Sequence, residues 1–168
     1  MTTNIGTVST RMKQAWGALC IAIYCNEKGI RHPSIDQLIP QLLALLVAPC
    51  LPQWETNLCK LDLHGLGEPL PPDLETLLVP QTRNEFYELI ENTVEIGMSD
   101  MWVANTSRPL EHALKCAEIL KRNGIDPPAV DALFPSHEDD LGGDWGPEFS
   151  SDEYARVKVR FNRIFPLS

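Results

Sequence analysis

Apolar residues recur at helical spacing along most of this chain, and proline and glycine mark the breaks between the runs. Val8, Met12, Trp16, Leu19 and Ile23, with Cys20 beside them, form a stripe that predicts a first helix over residues 7–28. Gly29 stands where a left-handed residue would end it. Ser34, with Gln37 three residues on, makes a capping box for a second segment containing Leu38, Ile39, Leu42, Leu43, Leu45, Leu46 and Val47. That segment is apolar nearly all round, which predicts the central helix, and Pro40 inside it predicts either a kink or a helix that starts there.

Six prolines between Pro49 and Pro80, with Gly65 and Gly67, predict extended connections and one short helix near 73–78. Thr82 and Glu85 form the next capping box, opening a helix with Phe86, Leu89, Ile90 and Gly97 inward. Residues 101–104 continue that helix or form a short strand. Ser107 is the expected cap of a further helix, with Pro109 in its first turn and Gly124 as its stop. Its inner face is expected to be Leu110, Ala113, Leu114, Ala117 and Leu120, and Glu111–Lys115 and Glu118–Arg122 are favourable i,i+4 pairs. Asp126-Pro127-Pro128 starts a short helix toward Phe134. Ser151 or Asp152 caps a last helix bearing Tyr154, Val157, Phe161 and Ile164, although the alternation Ala155, Val157, Val159, Phe161 also suits a strand. The fold class expected is therefore mainly α: a single-domain, bundle-like helical fold with a Pro-rich connecting region at 49–80, an acidic loop at 136–153, and a minor β element at the C-terminus as the alternative.

Composition adds to this picture. With 168 residues, 43% of them hydrophobic and 22% charged, the chain suits one domain with a core of its own. A net charge of −9 argues against unaided binding to nucleic-acid phosphates or anionic membranes and favours a basic partner. The five cysteines are odd in number and include no Cys-x-x-Cys, and three lie in apolar helical patterns, which reads as buried thiols in a reducing compartment. Arg11 and Lys13 before the apolar run at 15–25 resemble a secretory leader, but no small-x-small cleavage site follows. The other apolar run, 42–51, is far short of the ~20 residues that span a bilayer. The expected location is cytoplasmic.

The charge is also segregated. Residues 137–153 hold seven acids and no base, and 154–168 hold four bases and no acid. Such a block is a solvated loop or a surface that meets something cationic.

Phosphate-binding, dinucleotide-binding and serine-elbow motifs are absent. His137-Glu138-Asp139-Asp140-Leu141 begins like a His-Glu-x-x-His zinc helix, but Leu141 occupies the second ligand position. Asp139, Asp140, Asp144 and Glu148 near Gly142 and Gly143 are hard oxygen donors without EF-hand spacing. Cys59, Asp62 and His64 lie close in sequence, as a thiol site or, with Cys50 and Cys116, an irregular zinc set would need. No pattern calls for a cofactor. Glu88, Glu91 and Glu95 fall within about 60° of one another on one helix face, opposite Phe86, Ile90 and Gly97. Trp145, set among glycines, a proline and acids, resembles an interface anchor, though it suits equally a ring that tucks back and pins the loop. Pro69 and Pro72 make a minimal Pro-x-x-Pro, more often a rigid loop than a ligand.

The functional expectation is a non-enzymatic inhibitor in the style of an immunity protein or antitoxin. It would occlude a basic active site or nucleic-acid-binding face, of a toxin or nuclease for example, through Glu138, Asp139, Asp140, Asp144, Glu148, Glu88, Glu91 and Glu95, with Trp145 as anchor. The alternatives are a metal-dependent or thiol enzyme using Cys59, His64, His137, Asp139 and Asp140, and a helical adaptor or assembly subunit.

Overall fold

Ser9 opens the first helix, α1 (Thr10–Lys28), its Oγ accepting the Met12 N–H at 3.3 Å. The computed structural model describes residues 4–135 and 144–166. Gly29 closes α1 with a φ of 68°, the left-handed conformation that only glycine adopts without strain. A short 3-10 turn (Ile5–Thr7) precedes it, so the helix starts later than the apolar stripe predicts.

The order continues with α2 (Pro33–Leu43), α3 (Leu51–Cys59), α4 (Pro72–Thr76), α5 (Pro80–Met98), α6 (Arg108–Arg122) and α7 (Ser151–Ile164). No strand is present among the described residues, so 154–164 is a helix and the β alternative falls away. Residues 101–104 form turn and coil, neither helix nor strand.

The central helix is α1, in place of the second segment. It packs against α2, α5 and α6, and its buried residues include Arg11, Lys13 and Gln14 as well as its apolar stripe. The sequence hid this because those polar positions look solvent-facing; each is satisfied inside the protein instead. Arg11 Nη1 donates to the Leu45 and Ala48 carbonyls. Lys13 Nζ donates to the Val8 carbonyl at 2.6 Å. Gln14 donates from Nε2 to the Thr93 carbonyl at 2.8 Å and accepts the Gly97 N–H at 2.9 Å. Buried polar groups are tolerated when paired in this way.

Several caps differ from expectation. His32, not Ser34, is the N-cap of α2, its Nδ1 accepting the Ser34 N–H, and Pro40 sits inside the helix, which tightens to a 3-10 turn from Ala44. Helix α3 lies within the Pro-rich region because Pro52 occupies a first-turn position, where a missing N–H costs nothing. Pro80 likewise starts α5, with no side-chain cap from Thr82. Ser107 is the N-cap of α6 by position, but its hydroxyl donates to Glu111 and the Arg108 N–H goes to Thr106 Oγ1. The inner face of α6 is rotated from the one expected, burying Cys116 and Ile119 and leaving Leu114 about half exposed. Ser150 caps α7 with a reciprocal Glu153 box, one residue before the expected cap.

Candidate functional site

Helix α5 carries the three expected acids, and its neighbours treat them differently. Glu88 is exposed but already has a cation, Arg122 Nη2 of α6 at 3.3 Å, which also approaches Glu85 at 3.7 Å. Arg122 therefore serves α5, not the expected i,i+4 partner Glu118. Glu91 is exposed and makes no hydrogen bond or ion pair among the described residues. Glu95 is half-buried; desolvation, then the Glu91 charge, holds its carboxyl above the usual range, while Arg108 opposes the rise. Glu95 therefore sits beside a like charge and not in an ion-paired structural motif.

A fourth acid joins them. The 63–68 segment lies against α5, where a Cβ on Gly65 would meet the Glu91 backbone at 3.3 Å. Glu68 is thereby brought to Tyr87, whose phenol is pushed up by burial and then by Glu91 and Glu68. Helical periodicity carries no signal for Glu68, because it arrives from a loop distant in sequence.

Of the acidic loop, Glu138, Asp139 and Asp140, with His137, lie outside the described residues. The described remainder, 144–149, is a strap across the start of α1. Two of the N–H groups that an α-helix leaves without partners at its start, those of Thr10 and Arg11, donate to the carbonyls of Asp144 (2.8 Å) and Trp145 (3.3 Å). Arg11 Nε donates to the Gly146 carbonyl at 3.3 Å, and the Phe149 N–H donates to the Leu46 carbonyl at 2.8 Å. Burial lowers the Arg11 pKa, and the nearby Glu148 charge partly restores it. The carboxylates of Asp144 and Glu148 stay exposed on this held backbone, Asp144 Oδ1 accepting the Trp145 N–H. Trp145 itself is half-buried against the core, in the pinning arrangement.

The enzyme residues are arranged less favourably. Cys59 is exposed and its thiol is pushed up by desolvation and by Glu55, whereas a nucleophilic thiolate needs the opposite shift. No hydrogen bond joins it to His64, whose Nδ1 is buried without a partner. Cys50 is exposed and Cys116 is buried, bonded to Thr93 Oγ1 at 3.3 Å, so neither completes a set with them. Among the described residues no group of three or more His, Cys, Asp or Glu is placed to hold a metal ion. No helix described is long and apolar enough to cross a membrane.

No protein-family model, curated protein or solved structure matches this chain.

Proposed function

We propose that this protein binds a basic protein partner and covers its cationic active site or nucleic-acid-binding face, as immunity proteins and antitoxins do. The observation that carries the reading is the acid ridge of Glu91, half-buried Glu95 and Glu68, none of which forms an ion pair within 4.0 Å among the described residues, beside a Glu88 that is already paired with Arg122. A chain of charge −9 keeps such a ridge at a cost in self-repulsion that a cationic partner would relieve. Asp144 and Glu148, displayed on the strap, add carboxylates with a fixed backbone behind them, and fixed groups lose less freedom on binding. Trp145 acts in this reading as the pin of the strap, so its truncation weakens binding through strap disorder. Glu138, Asp139 and Asp140 add negative charge to partner binding in this proposal. Association driven by such charge is fast at low salt and slows steeply as ionic strength rises. The test is the association rate of the purified pair at two salt concentrations; a rate unchanged by salt contradicts the reading.

One observation favours the adaptor alternative. Leu77, Val79, Trp102 and Val103 are all more than half exposed. A partner held by those side chains would bind equally well at high salt.

A further inference from the structure

Helix α7 has the opposite charge character to the rest of the surface. It is held on the body by Val157, Phe161 and, just beyond its end, Phe165, all buried, and by Arg160 Nη1 donating to the Leu133 carbonyl at 3.0 Å. Its cations form no ion pair with a carboxylate within 4.0 Å among the described residues, although the chain is rich in acids. Glu153 accepts the Ser150 N–H at 3.2 Å in the N-cap; its hydrogen bonds to Ser150, and to a lesser degree the Arg156 charge, lower its carboxyl pKa.

Two of these cations, Arg156 and Arg160, lie four residues apart on one side of the helix and line a cleft of about 240 Å³, which Glu153 also lines, so the two guanidiniums face one carboxylate there. Its apolar wall is Phe134 and Phe149, ring centroids 5.7 Å apart at an interplanar angle of 74°, with Val157 beside them. Arg156 makes no hydrogen bond or ion pair among the described residues, and Arg160 spends one donor of the five that a guanidinium carries. Guanidinium forks fit carboxylate and phosphate oxygens in pairs, and their flat faces stack on rings. Apolar walls with a few convergent polar groups are the usual make-up of a small-molecule site, and this cleft lies somewhat below the volume of about 300–1,000 Å³ that drug-sized ligands occupy, which restricts it to a small ligand.

We propose that the cleft between α7 and the Phe134/Phe149 pair binds a small organic anion, a carboxylate or phosphate carried on a flat apolar body, with Arg156 and Arg160 holding the anion. This site is separate from the acid ridge and opposite to it in sign.

The experiment titrates phenyl phosphate, 3-phenylpropionate and inorganic phosphate into the isotope-labelled full chain at low salt, reading amide shifts by NMR. Saturable shifts confined to Phe134, Phe149, Val157 and the two arginines are expected from at least one aromatic anion, and the tighter of the two names the anion. Arg156→Gln, at an exposed position without intramolecular bonds, should keep the wild-type melting temperature and weaken binding roughly tenfold or more. Arg156→Gln/Arg160→Gln should abolish it. Equal binding by Arg156→Gln, or by inorganic phosphate and the aromatic anions alike, overturns the proposal. So does binding that appears only in Glu138→Gln/Asp139→Asn/Asp140→Asn, which would assign the cleft to the chain's own acidic segment.

Discussion

The Gly97 N–H of α5 donates to Gln14 Oε1 of α1 at 2.9 Å, and a Cβ placed on residue 97 would fall 2.5 Å from that same oxygen. The Gln14 amide also donates to the Thr93 carbonyl, so one carboxamide bridges the C=O and N–H that an α-helix otherwise joins directly. This holds the two principal helices at a fixed register. Gly97→Ala must displace both Gln14 and the Trp54 ring, 2.9 Å away, and is expected to cost about 1–3 kcal/mol. Gln14→Leu removes the bridge but leaves the Thr93 carbonyl and the Gly97 N–H free to bond each other, so a smaller loss of about 0.5–1.5 kcal/mol is expected. Urea denaturation measures both; a loss below about 0.5 kcal/mol for Gly97→Ala would mean that the helices slide freely.

Arg11 ties three segments together, donating to Leu45, Ala48 and Gly146. Arg11→Met keeps much of the apolar stem and removes those charge-assisted bonds, so a loss of about 2–3 kcal/mol is expected. The strap should loosen before the core does. Hydrogen exchange at the Thr10, Arg11 and Phe149 amides should accelerate more than exchange at Leu19 or Ile90, and uniform acceleration would contradict the role given to Arg11.

Alkali should unfold this protein early. Burial pushes the Cys25 and Cys116 thiols up to about 12 from 9.0 and raises Cys20 and the Tyr24 phenol in the same direction. The unfolded chain therefore releases these protons first, so stability is complete below pH 9.0 and falls as pH rises through the window toward 12. Lys13 works the other way, because burial lowers its pKa from 10.5 and the unfolded chain holds that proton longer. The three thiols and the phenol outweigh one lysine. Urea midpoints from pH 8 to 11.5 should fall throughout, and Cys25→Ala/Cys116→Ala should start lower but fall less steeply. Parallel curves would mean that the buried thiols do not set the alkaline limit.

The all-helical class was legible because the apolar spacing in α1, α5 and α6 is long and regular. Gly29 and Gly124 mark chain reversals, and both adopt the positive φ that glycine allows. What escaped the sequence is tertiary in origin. Arg11, Lys13 and Gln14 look like an outward face until the carbonyls they meet are brought from elsewhere in the chain. Prolines at 52 and 80 look like breakers and are helix starters, since a proline in the first turn gives up no hydrogen bond. At the candidate site, the shared face of Glu88, Glu91 and Glu95 followed from periodicity alone. That Arg122 neutralises Glu88, and that Glu68 joins the ridge, depends on how α6 and the 63–68 segment pack.

Glu68 and Glu91 are exposed carboxylates without hydrogen bonds or ion pairs among the described residues, so their reversal tests the acidic-surface reading with little risk to the fold, whereas Glu148 also supports the Arg11 charge and is left in place. The most direct measurement is a low-salt affinity purification from the native cell with tagged wild-type protein and tagged Glu68→Lys/Glu91→Lys in parallel, after confirming equal melting temperatures. If the acidic surface binds the partner, a stoichiometric basic protein elutes from the wild type as salt is raised and is absent from the variant. The same partner retained by both, or one that stays bound at molar salt, would contradict it.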